Sequence, residues 1–376
     1  PIGQGGFYTE DVNGKLVVYD CGGNSTAFIK DYLKSFLQKG QTIAAVFISH
    51  LHWDHINGLE KLFSECNVEK LYLPQLTKNR IIETILYNSI HFPESNANGK
   101  SIVNFVEQII NGSIPAIQVI EEGNIDNNEE YQDRYIHSGS HIKVSENATG
   151  GVDYKWVYIP YTPLSIKSNF ESNDKYVQKI KNIYEKSSDV ELAKNVAELL
   201  KDLNHIELQK LYTTLYKKPH NSQSMTVFSG FLNTNYKILT RTNVASMSYV
   251  CSSCYCSREN HNDSSIRIIP CNFLYTGDFE AKERTEELIK FYKQQEHNVW
   301  DTICGIQIPH HGSRKNYNQK LYHGISFGIV SVGIHNRYHH PNIDTLIDIF
   351  KQGCMPNVVT EDLNTQLYQQ FIFLSL

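Results

Sequence analysis

The feature that most constrains this chain is a cluster of ionisable side chains directly after a short apolar run. Residues 43–48 are continuously apolar, and the run His50-Leu51-His52-Trp53-Asp54-His55 follows almost at once. An apolar run of this length is typical of a buried strand. A rigid strand therefore delivers ligand-type side chains into one loop, and the sequence predicts a metal site there.

The spacing within this run predicts two metal ions rather than one. Zinc binds imidazole nitrogen and carboxylate oxygen at similar range, so His50 and His52 are predicted to face one ion, and Asp54 and His55 a second. Asp54 is also predicted to orient the attacking nucleophile. The alternative is a polar loop of satisfied histidines, which the density of ligand-type residues disfavours.

Two later strand ends carry further candidate ligands. Asp278 follows Gly277 at the end of an apolar run and is predicted to bridge both ions; the alternative is a helix N-cap for the segment that starts near Ala281. His310 and His311 follow the strand-like run 305–308. We assign His310 to the metal and His311 to the substrate, an order that the sequence leaves open.

A fourth group of histidines follows the apolar run 330–333. It contains His335, His339 and His340, and we select His340 as a catalytic residue that contacts the leaving oxygen. The alternative is a solvated loop.

The order of predicted elements indicates an α/β layered core. Apolar periodicity predicts a helix over 26–38, buried strands over 43–48 and 70–73, and helices over 281–295 and 343–351. Residues 75–219 are predicted to be an insertion over the active face, made of loops and a helical block at 174–216. Residues 230–271 are predicted to form a cysteine-rich excursion between two core strands.

The net charge and the number of cysteines limit which classes of protein are compatible with this sequence. The net charge of −5 argues against a surface that grips long nucleic acid, and no apolar run reaches the length of a membrane helix. Eight cysteines do not make a dense disulfide framework, so a reducing cytoplasm is the expected location. A small structural zinc site is one interpretation of the cluster Cys251, Cys254, Cys256 and Cys271; free thiols are the other.

The order and spacing of the motifs resemble the metallo-β-lactamase superfamily, and within it the hydrolase domain of the competence protein ComEC. The matching segments are Gly3-Gln4-Gly5, Asp20-Cys21-Gly22, His50 to His55, Asn221 to Ser224, Gly277-Asp278, Pro309-His310-His311-Gly312-Ser313 and His340-Pro341.

The resemblance implies a single domain over 1–376 with the four-layer αβ/βα sandwich of that superfamily. It also implies two zinc or manganese ions, a bridging hydroxide that attacks an ester or phosphoester, and a role for Asp20 in orienting the metal loop. The superfamily has a further histidine ligand before the Gly-Asp motif; the candidates are His137, His141 and His220.

The predicted function is metal-dependent hydrolysis of a phosphodiester, with a nucleotide or nucleic acid as substrate. His311 or His340 is predicted to donate a hydrogen bond or a proton to the leaving oxygen. The alternatives are hydrolysis of another ester, a lactone, a thioester or an amide, an iron-dependent oxidoreductase, and a binding module stabilised by metal.

Overall fold

The computed structural model describes residues 2–12, 14–23, 25–96, 102–123, 133–144, 156–216, 223–232, 237–244, 247–249, 272–336 and 339–374. Among these residues, no helix has both the length and the apolar character needed to cross a membrane.

The first half of the chain builds a mixed sheet of seven strands. Its strands are β1 (Tyr8–Val12), β2 (Lys15–Tyr19), β3 (Thr42–Phe47), β4 (Asn67–Val68), β5 (Leu71–Pro74), β6 (Ala116–Ile120) and β7 (Tyr135–His137). The order is β1-β2-β3-β5-β6-β7, with β4 paired to β3. β1 is antiparallel to β2, and the other pairs are parallel.

The chain from residue 142 onward builds another sheet of seven strands. Its strands are β8 (Ile142–Lys143), β9 (Trp156–Tyr161), β10 (Thr226–Phe231), β13 (Asn272–Tyr275), β14 (Ile303–Gln307), β15 (Phe327–Ser331) and β16 (Met355–Val359), in the order β16-β15-β14-β13-β10-β9-β8. The β-rich runs at residues 224–229 and 272–275 predict two neighbouring strands, and the antiparallel register of β10 and β13 confirms this.

A small third sheet contains the strands β11 (Lys237–Val244), β12 (Met247–Tyr249) and β17 (Leu367–Leu374), in the order β12-β11-β17. The apolar run at residues 370–374 predicts a strand that closes the main sheet; this prediction is wrong, because β17 pairs along its length with β11.

Helices cover the outer faces of the two large sheets. They are α1 (Thr26–Phe36), α2 (Trp53–Ile56), α3 (Leu59–Glu65), α4 (Lys78–His91), α5 (Ile102–Ile110), α6 (Lys175–Lys186), α7 (Asp189–Leu200), α8 (His205–Tyr216), α9 (Ala281–Gln294) and α10 (Ile343–Lys351). α10 has the predicted bounds: Asn342 caps its first turn, and Gly353 follows its end with a φ of +87°.

Strand alternation separates three cores. Val18 and Val46 pack with the helices outside the first sheet, whereas Val17 and Phe47, one residue along each strand, lie in the core between the sheets. A third core joins the second sheet to α9 and α10. The layers are thus helix, sheet, sheet, helix, and the predicted αβ/βα sandwich is confirmed.

The predicted insertion at 75–219 needs correction. Within it, β6 and β7 extend the first sheet, and β8 and β9 form the edge of the second. These strands have two to six residues, and the sequence between them is rich in Asn, Ser and Gly, so no long periodic pattern marks them. The predicted helical block corresponds to α6, α7 and α8, which pack with α4 and α5 against the first sheet.

Candidate metal centre

The candidate site lies where the ends of several strands meet. His50 to His55 follow β3, Asp278 follows β13, and His310 and His311 follow β14. Polar side chains concentrate where parallel strands end because the following loops converge at one edge of the sheet. The fold therefore gathers residues that are far apart in the sequence.

Asp20, which follows β2, organises the metal loop. Its Oδ1 accepts a hydrogen bond from the Ser49 backbone N–H at 2.7 Å. Its Oδ2 accepts from the Ser49 hydroxyl at 2.7 Å and from His55 Nδ1 at 2.8 Å. Asp20 is fully buried and has a φ of +55°. Gly6 packs against it: a Cβ there would lie 2.7 Å from Asp20 Oδ2, so a larger residue would displace the carboxylate.

Hydrogen bonds fix the proton positions on three imidazoles. His55 Nδ1 faces a carboxylate and His311 Nδ1 faces the Ser331 carbonyl at 2.8 Å, and both partners only accept. His50 Nδ1 lies 2.9 Å from the Ser49 hydroxyl, which already donates to Asp20. In neutral His55 and His311 the proton therefore lies on Nδ1, and the bond that Ser49 already donates favours the same tautomer in His50, so that each Nε2 keeps its lone pair.

The three Nε2 atoms of His50, His55 and His311 are buried and have no hydrogen-bond partner within the described part of the chain. A buried polar atom without a partner is costly. Imidazole nitrogen with its other nitrogen bonded to a carboxylate or carbonyl is the usual state of a metal ligand. The residues present therefore fit metal ions.

Side-chain geometry divides the ligands into two groups. One contains His50, His52 and Asp278, and the other contains Asp54, His55 and His311; within each, the potential ligand atoms lie within 4.8 Å of one another. All six residues are buried. The structure thus brings the residues of the first loop together in the division that their spacing predicts.

Asp278 lies between the two groups. Its Oδ1 is 3.5 Å from His55 Nε2 and 3.6 Å from His311 Nε2, so this carboxylate faces both groups of candidate ligands. Its backbone N–H donates to the Ser224 hydroxyl at 3.0 Å. Gly277, with a φ of +51°, permits this approach, since a Cβ there would lie 2.5 Å from Ser49 Cβ.

The cluster attracts positive charge. Burial lowers the pKa of His50 well below its usual value. Burial would also lower the pKa of His55, but the carboxylates of Asp20, Asp54 and Asp278 raise it well above its usual value. Burial works to raise the pKa of Asp278, yet the neighbouring histidines hold it well below its usual value. The negative potential that favours a bound proton in this cluster also favours a bound metal ion.

The structure places His311, and not His310, in the second group. Both residues have a positive φ, +50° at His310 and +51° at His311, and the turn sends their side chains in different directions. The ring of His310 instead lies 5.7 Å from the ring of His340, between centroids. Burial lowers the pKa of His310, and it lowers the pKa of His340 to about 4.

The further histidine of the superfamily has no counterpart in either group among the described residues. His137 and His141 are exposed, and His220 lies outside the described residues. The buried Ser224 hydroxyl is present at the site instead, 3.2 Å from His50 Nδ1. Each group therefore contains three candidate ligand side chains within the described part of the chain, and Asp278 also lies near the second group.

The predicted structural zinc site falls on Cys251, Cys254, Cys256 and Cys271, which lie outside the described residues. The cysteines within the described ranges, Cys21, Cys66, Cys304 and Cys354, are buried free thiols.

Several residues around the site are not identified by sequence reasoning. On α4, Glu83, Tyr87 and Asn88 approach His52 and its neighbours. Their signal is a set of polar residues at helical spacing beside the buried isoleucines and leucine of the same helix, and it is visible only once a helix over 78–91 is recognised.

Comparison with known proteins supports the assignment of the first motifs. Residues 8–80 match the family model of the metallo-β-lactamase superfamily. The chain is also 34% identical over 105 residues to ribonuclease Z from two strains of Prochlorococcus marinus, NATL1A and NATL2A. That alignment covers 24% of this chain, and the chain spans about a third, 32%, of the length of those curated relatives.

Two solved structures are distantly similar. A diphosphatase of the PhnP family aligns with 95% of this chain and 74% of its own, at 11% identity and a TM-score of 0.30. The short form of human tRNase Z aligns with 96% of this chain and 90% of its own, at 10% identity and a TM-score of 0.32. Both TM-scores are below 0.5, so neither likeness bears on the function of this chain.

The family match covers β1 to the start of α4 and includes the whole first ligand loop. It does not distinguish branches, so the likeness to the ComEC-type domain stays a prediction. The family model that residues 8–80 match is that of the metallo-β-lactamase superfamily, and the sandwich fold and the two ligand groups agree with that match.

Proposed function

We propose that this protein is a binuclear metal-dependent hydrolase of phosphodiester bonds. The observation that carries the proposal is the set of three buried Nε2 atoms, on His50, His55 and His311, gathered around the carboxylate of Asp278. These lone pairs need a cation, and the two ligand groups offer two positions for one.

The proposed ligands are His50, His52 and Asp278 for one ion and Asp54, His55 and His311 for the other, with Asp278 between them. Zinc suits this mixture of imidazole and carboxylate, and manganese is the second candidate. When bound by these residues, two such ions would supply Lewis acidity that lowers the pKa of a water molecule and would neutralise charge on phosphoryl oxygens.

The remaining roles belong to residues at the rim of the cluster. Because His311 is proposed as a ligand, we assign contact with the substrate to His310 and His340. The low pKa of His340, about 4, means that its ring is neutral near pH 7. It therefore donates a hydrogen bond to the leaving oxygen rather than a stored proton. Asp54 orients the attacking nucleophile.

A phosphodiester is the favoured substrate because two adjacent cations match both the attacking and the leaving oxygen of a displacement at phosphorus. The name of the curated relatives, ribonuclease Z, points to the same bond. The net charge of −5 favours a short substrate over long nucleic acid.

The proposal is tested by hydrolysis of bis(p-nitrophenyl) phosphate, with His52→Ala as the variant and His141→Ala as a matched control. His141 is an exposed histidine outside both ligand groups. We expect activity in the wild type and in the control, and loss of activity in His52→Ala. Bound ions without phosphodiester hydrolysis would contradict the substrate class and direct screening to other esters and to amides.

A further inference from the structure

Helix α4 presents a polar face to the metal loop. Arg80, Glu83, Thr84 and Asn88 are all at most 3% exposed, although a buried helix face is ordinarily apolar. Burying four polar side chains is costly unless each makes specific contacts. Three residues of this helix, Glu83, Tyr87 and Asn88, contact the chain at or beside His52.

Asn88 holds the backbone on both sides of His52. Its Nδ2 donates to the Leu51 carbonyl at 2.9 Å, and its Oδ1 accepts from the Trp53 N–H at 2.9 Å. The same Nδ2 donates to the Thr84 carbonyl at 2.9 Å within α4. One fully buried amide therefore fixes the peptide groups that flank the ligand residue.

Tyr87 and Glu83 hold the imidazole itself. The Tyr87 ring stacks on the His52 ring with centroids 3.6 Å apart and planes at 4°, which restricts rotation of the ligand ring. Glu83 Oε1 lies 3.6 Å from His52 Nε2, and both side chains are almost fully buried.

The position of Glu83 has a consequence for His52. A carboxylate that faces Nε2 favours the tautomer with its proton on Nε2, which leaves the Nδ1 lone pair for a cation. In His50, His55 and His311 the opposite nitrogen is held in this way. Glu83 thus faces the nitrogen of His52 that does not bind the ion, as Asp20 faces the corresponding nitrogen of His55.

Glu83 is in turn held by the helical segment 175–216. The Tyr212 hydroxyl, on α8, donates to Glu83 Oε1 at 2.9 Å. The oxygen that accepts this bond is the one that faces His52. Tyr212, Glu83 and His52 therefore form a chain of contacts from α8 to one ligand group.

We propose that Glu83, supported by Tyr212, is a positioning residue for His52, and that the helical segment thereby sets the affinity of one of the two metal sites. The proposal rests on the proposed function in taking His52 as a metal ligand. It does not require that the substrate be a phosphodiester.

The test measures the dissociation constants of both metal sites by competition with a chromophoric zinc chelator. The variants are Glu83→Gln and Tyr212→Phe, each purified in the full chain, with folding checked by circular dichroism. Tyr216→Phe is the matched control for the second, because Tyr216 is also buried on α8 but its hydroxyl contacts Ser168 at 3.2 Å. Glu10→Gln controls for the first, because Glu10 accepts from tyrosine hydroxyls of the second sheet.

We expect Glu83→Gln to weaken one site by about 10- to 100-fold and to leave the other unchanged. Tyr212→Phe should weaken the same site by a smaller factor, and it tests the proposal independently if Glu83→Gln does not fold. Both controls should bind zinc as the wild type does.

Wild-type affinity at both sites in Glu83→Gln and Tyr212→Phe would overturn this inference and leave the proposed function intact. Two bound ions without phosphodiester hydrolysis would overturn the proposed function alone. A wild type that binds no ion would overturn both.

Discussion

Two clusters of buried polar side chains in this molecule differ in whether their polar atoms have hydrogen-bond partners. Glu10, on β1, accepts hydrogen bonds from the hydroxyls of Tyr158 at 2.6 Å, Ser229 at 2.7 Å and Tyr275 at 2.7 Å. Both of its carboxylate oxygens therefore have donors, and the network links the edge of the first sheet to the second. In the metal centre, the Nε2 atoms of three imidazoles have no hydrogen-bond partner among the residues that the structure describes.

The difference separates a structural polar cluster from a functional one. Buried polar groups that satisfy one another stabilise a fold, whereas a set that leaves lone pairs converging on one point requires something from outside the chain. The two carboxylate networks are thus expected to respond differently to mutation, to metal and to pH.

The largest difference between the two clusters is expected when the central carboxylate of each, Asp278 or Glu10, is removed by mutation. Asp278→Ala takes the shared oxygen from both ligand groups. Metal affinity and hydrolysis should therefore fall by more than the roughly 100-fold that marks the loss of an outer hydrogen-bond partner. Glu10→Ala should destabilise the fold and leave metal content unchanged. Metal content by mass spectrometry and thermal unfolding check the two results.

Removal of metal should lower the melting temperature of the protein through the metal centre, and the Glu10 cluster should not contribute to this change. Zinc at about 100 times its dissociation constant should stabilise the folded state by about 2.7 kcal/mol for each occupied site through mass action. Glu10→Gln should show the same zinc-dependent rise in melting temperature as the wild type, and Asp278→Ala should show almost none. A similar rise in Asp278→Ala would mean that zinc binds elsewhere.

A smaller effect is expected for Asp20→Asn. Asp20 accepts from His55 Nδ1 and from Ser49 and does not belong to either ligand group. Its loss should weaken zinc binding by about 10- to 100-fold, through the His55 ring and the loop. The control is Asp31→Asn, whose carboxylate pairs with Lys34 on the exposed side of α1. Chelator competition measures both variants, and equal affinities would contradict a role for Asp20.

The smallest effect concerns pH. Burial raises the pKa of Glu10 in the folded state, although its hydroxyl partners oppose the shift. A raised pKa gives stability that is present below the unfolded pKa and is lost as the pH rises through the folded pKa. The free energy of unfolding should therefore fall between pH 4 and pH 7 by more in the wild type than in Glu10→Gln. Urea unfolding at both pH values measures this, and parallel changes would contradict it.

The parts of the fold that the sequence predicts are those with long or dense apolar patterns. The helix Ile343–Lys351 and the strand before His50 have clear periodicity, clear ends or both. The strands β6, β7 and β9 are missed because short apolar runs in polar surroundings resemble loops, and their pairing with distant strands is not a local property.

Sequence reasoning identifies the site residues that are marked by residue type at strand ends. It does not identify residues that only the tertiary fold brings to the site. His50 to His55 and Asp278 are identified by residue type at strand ends. The choice between His310 and His311 depends on backbone angles and on the Ser331 carbonyl, which no spacing reveals. Glu83 and Asn88 depend on the docking of α4 against the loop, so only tertiary structure identifies them.

The most direct test is the metal content of the wild-type protein, measured by inductively coupled plasma mass spectrometry after dialysis with zinc or manganese. Asp278→Ala is the matched variant. The two ligand groups predict about two equivalents per chain in the wild type and a clear loss in the variant. A wild-type protein that is folded and binds no divalent ion would contradict the metal centre, and with it the proposed hydrolase.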